Sequence, residues 1–263
     1  MRPEPAIDNF ADEMQLEHCN SYILRQLEIR KNSAATRDLP PPGPAITISH
    51  QTGAGEHGIA MQLSAILHSA QPKGTAPWTV FDRRLVERVL EERHMFQSLT
   101  DLTPENRRSQ FKRILEEWLG SRPSSWMILP QVAEAVMHLA DTGYVILLGQ
   151  GANFITAHLS NVFHVRLIAA LPSRIERLQR LNGVSLKEAT RFVAASDRGR
   201  GRYAKEHFHV CVEDDLQYHL VVNTDRIPCP DAAQLIADGA RLCFRNGAGS
   251  ERRRSQDRDF PPC

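Results

Sequence analysis

No apolar run in this 263-residue chain is long enough to span a bilayer, and the opening residues, Met1 to Phe10, contain no signal-type apolar core. Neither membrane insertion nor secretion is expected. Cysteine is scarce: Cys19, Cys211, Cys229, Cys243 and Cys263 are odd in number, widely spread and never arranged as C-x-x-C. This argues against a zinc site and a disulfide framework and fits a reducing cytoplasm, the expected location. An excess of one charge is also missing. The 32 Lys and Arg against 31 Asp and Glu leave +1, which gives no global drive toward nucleic acid or membrane, so any anion site is local. Aromatics are few at 6%, and no internal repeat is evident. The His residues 207, 209 and 219 lack ligand spacing, and Glu213-Asp214-Asp215 reads as a solvated acidic run, so no metal is assigned to protein ligands.

Short β-branched or aliphatic runs alternate with helical patterns. Residues 8–35 read as a helix with Phe10, Met14, Ile23, Leu24 and Leu27 as its apolar contacts. The segment 39–44, with four prolines, is a linker. Strands are expected at 45–49, 78–81, 144–148, 162–169 and 219–223. Helices are expected after the first turn (Ile59, Leu63, Ile66, Leu67), from 82 to about 93, and at 104–119 and 124–142. Others follow from Pro172 (Ile175, Leu178 and Leu181 on one face), over 185–208 and over 231–245. Such alternation implies a mainly parallel sheet covered on both faces, with ligands at the carboxyl ends of the strands. The chain divides into an N-terminal helical extension (1–38), a Pro-rich linker (39–44), an α/β domain (45–245) and a basic tail (246–263) that lacks core residues and is expected to be disordered.

The first strand runs into Ser49-His-Gln-Thr-Gly-Ala-Gly-Glu-His-Gly58 and then directly into a helix. Strand, glycine-rich turn and helix N-terminus make a ring of backbone N–H groups that suits a polyphosphate without charged side chains. The expected nucleotide-binding residues are Gln51, Thr52, Gly53, Ala54, Gly55, Glu56, His57 and Gly58. The pattern G-x-x-x-x-G-K-[ST] is only half met: Gly55 fits its second glycine, Glu56 stands for the lysine and His57 for the hydroxyl residue. A register with an extra residue puts Gly58 at the hydroxyl position. A plain strand-to-helix turn with no ligand is the ordinary alternative.

Five segments in order resemble the cytidylate kinase-like family, a branch of P-loop nucleoside monophosphate kinases. Ile46–Gly55 resembles its opening strand and modified loop, and Phe81-Asp-Arg-Arg-Leu85 the strand end that begins the acceptor region. Val145–Ala152 resembles its second glycine loop, Ser196–Tyr203 its arginine-bearing lid, and Leu220–Thr224 its last strand. The resemblance implies a P-loop NTPase-like three-layer sandwich with a mainly parallel five-stranded sheet, a helical acceptor region and a lid. It also implies ATP and Mg²⁺, and transfer of phosphate to a nucleoside monophosphate or similar small acceptor. Members often lack the lysine and carry Gly-Gly-Arg there. In this chain that arginine is His57, and the usual arginine of the second loop is Gln150.

Phosphoryl transfer needs positive charge around the phosphate oxygens, so Arg200, with Arg198 and Arg202, is the expected catalytic group of a lid made mobile by Gly199 and Gly201. Solvated helix charges are the alternative for each. Asp82 orients Mg²⁺-bound water or acceptor, or caps the next helix, or both. Nucleotide binding without turnover, as in a sensing pseudokinase, is the second reading, and a relict interaction fold the third. The N-terminal helix serves as a homodimer contact or packs back on the sheet.

Overall fold

The computed structural model describes residues 17–29, 41–72, 75–119, 128–149 and 151–247. Five strands form one parallel sheet: β1 (Ala45–His50), β2 (Thr79–Phe81), β3 (Val145–Leu148), β4 (Val162–Ile168) and β5 (Leu220–Asn223), in the order β2-β3-β1-β4-β5. The helices are α1 (17–29), α2 (Glu56–Ser69), α3 (Arg83–Glu91), α4 (Arg93–Asp101), α5 (Glu105–Leu119) and α6 (Ile128–Thr142). They continue with α7 (Ala152–Ile155), α8 (Leu171–Asn182), α9 (Leu186–Phe208) and α10 (Cys229–Gly247).

Side chains alternate across the sheet with the period of two that a strand dictates. Val145 and Leu147 of β3 enter a core with residues of α1, α3, α4 and α6, whereas Ile146 and Leu148 enter a second core with α2 and α10. Three layers result, as expected for this α/β class. The chain moves outward from β1 in opposite directions, through β2 and β3 on one side and β4 and β5 on the other. The carboxyl end of β1 is therefore the switch point at which an open α/β sheet leaves a crevice.

The N-terminal helix does not stand apart. Cys19, Tyr22 and Ile23 of α1 are buried in the first core, Tyr22 stacks edge-on against Phe81 at 5.6 Å, and its hydroxyl donates to the Gly143 carbonyl at 2.6 Å. Of the two expectations for this helix, packing on the domain is observed through Cys19, Tyr22 and Ile23, which share the first core with residues of the α/β domain. Truncating Tyr22 to alanine is expected to cost about 3 kcal/mol, read as a lowered Tm in thermal unfolding.

Other departures are local. Leu24 is 59% and Leu181 73% exposed. Residues at i, i+3 and i+6 drift off one helical face, so Leu181 leaves the stripe set by Ile175. The helix expected to end near 93 stops at Glu91 and α4 follows it. Phe10, Met14, Gln150 and the tail beyond 247 lie outside the described residues. Among those described, no helix is long and apolar enough to cross a membrane.

Candidate active site

The loop after β1 is held open by bonds from behind. Three successive carbonyls are pinned: Thr52 O by Arg174 Nη1 (3.2 Å), Gly53 O by Arg177 Nη1 (2.6 Å) and Ala54 O by Thr224 Oγ1 (2.8 Å). With the carbonyls turned outward, the amides turn inward. Among the described residues, the N–H groups of Gly53, Gly55, Glu56, His57 and Gly58 donate to no protein acceptor, and α2 has no side-chain cap. Uncapped amides at a helix N-terminus have the geometry that suits an anion. Gln51 braces the entry, its N–H donating to Leu167 O at 3.0 Å and its Oε1 accepting from Ala169 N at 3.0 Å.

Gly53 and Gly55 have φ of 81° and 89°. A Cβ on Gly53 would stand 2.7 Å from the Arg174 carbonyl oxygen, so neither backbone angle nor space admits a side chain. Gly53→Ala is expected to cost about 2 kcal/mol of stability and to abolish polyphosphate binding, as read by calorimetric titration with ATP.

A second set of bonds ties α9 to this loop. Asp197 Oδ1 accepts from both Thr52 N (2.9 Å) and Thr52 Oγ1 (2.7 Å), and Asp197 Oδ2 accepts from the buried Arg174 at 2.5 Å. Burial pushes the Asp197 carboxyl up, but the Thr52 and Arg174 bonds outweigh it and hold the carboxyl below its ordinary value. Arg200 Nη2 donates to Thr52 Oγ1, and its Nε is buried with no acceptor among the described residues. A cleft of about 780 Å³ opens beside the loop, lined among others by Glu56, Asp82, Arg200 and Tyr203. Burial pushes the Tyr203 phenol up to about 12, so its hydroxyl keeps its proton at neutral pH.

The cytidylate kinase-like family model matches residues 45–226, more than two-thirds of the chain. The chain belongs to the cytidylate kinase-like family. No curated protein matches it. Among solved structures, a protein from Eubacterium ventriosum is 16% identical and superposes with a TM-score of 0.58 over 76% of this chain and 98% of its own, which shows a shared fold. A Thermus thermophilus protein is 19% identical with a TM-score of 0.42, covering 76% of this chain and 98% of its own. A shikimate kinase from Bacteroides thetaiotaomicron is 16% identical with a TM-score of 0.38, covering 77% of this chain and 96% of its own.

Within this family member the loop residues 51–58 come together as the sequence implies, but the three lid arginines do not. Arg198 and Arg202 are exposed and only Arg200 reaches the loop. Residues i and i+4 share a helical face and i+2 lies nearly opposite, so an alternating triplet on one helix cannot converge. Gly199 and Gly201 lie within α9, which runs unbroken from Leu186 to Phe208. Asp82 caps α3 by accepting from Leu85 N at 3.0 Å, and it also lines the cleft. Glu56 does not turn away: its Oε1 stands 3.3 Å from His50 Nδ1. His57 is exposed at the cleft edge.

Sequence reasoning missed four residues. His50 was read only as a backbone position. Arg174 and Arg177 sit on α8 beyond any motif, with no local signal. Arg166 had a signal, an arginine inside the buried strand Val162–Ile168. It is 3% exposed, contacts Ser49 Oγ (3.4 Å) and Tyr218 OH (3.3 Å), and has no carboxylate partner among the described residues. A buried cation with no counter-ion among the described residues adds positive potential beneath the loop.

Proposed function

We propose that this chain transfers the γ-phosphoryl group of ATP to a small-molecule acceptor of about the size of a nucleoside monophosphate, as a cytoplasmic phosphotransferase. The observation that carries this reading is the uncapped α2 terminus, with its loop carbonyls pinned outward and a donor on Arg200 left without an acceptor. The amides of Gly53 and of residues 55–58 hold the donor phosphates. Arg200 supplies positive charge to the group in transfer, in the absence of a Walker lysine.

Mg²⁺ fits the donor set. Asp82 lines the cleft and its cap bond uses Oδ1 alone, which leaves Oδ2 to hold the ion. The ion would neutralise charge on the phosphates. The cleft volume of about 780 Å³ lies within the range of small-molecule sites.

The pseudokinase reading draws on Glu56, an acid where the family's P-loop relatives carry lysine. Incubating the protein with Mg²⁺ and ATP across a panel of small acceptors and following ADP separates the two. Acceptor-dependent ADP formation supports the transferase, whereas ATP binding without turnover supports the sensor.

A further inference from the structure

His50 and Glu56 form a pair that the phosphate-binding role does not use. Both neighbours of His50 Nδ1 are acceptors, the Gln51 carbonyl at 3.3 Å and Glu56 Oε1 at 3.3 Å. The ring proton therefore sits on Nδ1, and Nε2 carries the lone pair. That nitrogen faces the Gly149 turn at the cleft: a Cβ on Gly149 would stand 3.7 Å from it. The side chains are mostly buried, at 10% and 21% exposure, and both line the cleft beside Arg200. A carboxylate behind a histidine whose far nitrogen opens on a substrate cleft is the arrangement of a general base.

We propose that His50, oriented by Glu56, is the base of the cleft and that the acceptor it serves reacts through a hydroxyl group. This rests on the phosphotransferase reading above. A phosphate monoester acceptor already carries an ionised oxygen and needs no base, whereas an alcohol must lose its proton as the bond forms. The α3 wall of the cleft is mixed in charge rather than cationic: Asp82 and Glu87 stand there with Arg84 and with Arg83, which is 77% exposed and bonded to Glu87 at 2.8 Å. In the step, the acceptor oxygen forms a bond to the γ-phosphorus and its proton passes to His50 Nε2. The bond from that phosphorus to the β,γ-bridging oxygen breaks, and its electron pair leaves with ADP. The imidazolium then returns the proton to solvent.

The charged groups facing His50 are Glu56 from α2 and Arg200 and Asp197 from α9; Gly149 brings none. Burial lowers the imidazole below its ordinary value, Glu56 acts against this and Arg200 with it. The neutral, proton-accepting ring is thus the form present at pH 7, and activity rises with pH to a plateau reached below neutrality.

The test uses the full chain with Mg²⁺ and ATP in two arms, nucleoside monophosphates in one and unphosphorylated nucleosides, sugars, cyclitols and hydroxy acids in the other. Products are read by phosphorus NMR. A phosphomonoester product is expected, with His50→Gln lowering kcat about 10²–10⁴-fold at unchanged ATP affinity. Glu56→Gln should move the acidic limb to lower pH, which a merely structural pair would not do. Nitrogen NMR of His50 should show the Nδ1-protonated tautomer whether or not an acceptor is found. A phosphoanhydride product from a monophosphate would leave the kinase reading standing and overturn the hydroxyl acceptor. An Nε2-protonated ring, or an unchanged kcat in His50→Gln, would overturn the base. No product in either arm would count against both readings.

Discussion

Arg200→Ala is expected to lower kcat by about 10³-fold, within the range for removing an arginine that stabilises a transferring phosphoryl group. The reason is geometric. Arg200 Nη2 reaches Thr52 Oγ1, its Nε is buried with no acceptor among the described residues, and Arg200 lines the cleft beside the uncapped amides. Arg198→Ala and Arg202→Ala are the controls, because both residues face solvent on the opposite side of α9 and their loss should leave kcat unchanged. Lysine at 200 should not restore the rate, since its single nitrogen cannot occupy both donor positions, Nη2 and Nε, of the planar guanidinium. Steady-state kinetics on these variants, with ATP affinity measured separately, distinguishes lost transfer from lost binding.

The second large effect is on stability. Arg174 is 7% exposed and donates to Ala169 O (3.0 Å), Thr52 O (3.2 Å) and Asp197 Oδ2 (2.5 Å), which locks α8, α9 and the phosphate loop together. Arg174→Ala strands two carbonyls and a carboxylate. It is expected to cost about 3 kcal/mol in urea unfolding, the low end for breaking a buried pair because the Asp197 side chain is 29% exposed and water relieves part of the loss. The same knot has a pH signature. The folded Asp197 carboxyl is more acidic than the unfolded one, so its stabilisation is complete above the ordinary aspartate value of about 3.9 and is lost as pH falls through the lower folded value. Asp197→Asn should be less stable than the parent at pH 7, and the difference should narrow as pH drops below about 4.

What was legible in the sequence is what local chemistry decides. The run at Val145–Leu148 is apolar on both faces and Val162–Ile168 carries Phe163, Val165 and Leu167 on one, the pattern of buried central strands. The glycines at 53 and 55 announced a turn needing positive φ, and that turn lies at the switch point of the sheet. The side-chain contributions were less legible because they depend on tertiary approach. Arg174 meets Asp197 across 23 residues and Thr52 across 122. Of the three lid arginines only Arg200 reaches the loop, because an alternating triplet diverges on a helix. The role of α1 was undecidable until Tyr22 was seen against Phe81 and Gly143. His50 was hidden by its position: the loop was read for its backbone, and the pairing with Glu56 turns an unfavourable acid beside phosphates into a partner for a buried ring.

The central claim is that backbone amides at the α2 terminus, with Arg200, hold a polyphosphate without a Walker lysine. Calorimetric titration of the protein with ATP, ADP and adenosine in the presence of Mg²⁺ tests it most directly. Saturable binding of the two phosphorylated ligands is expected, with much weaker binding of adenosine and loss of the phosphate-dependent part in Gly53→Ala. Equal affinity for adenosine and ATP, or ATP binding undiminished in Gly53→Ala, would contradict it.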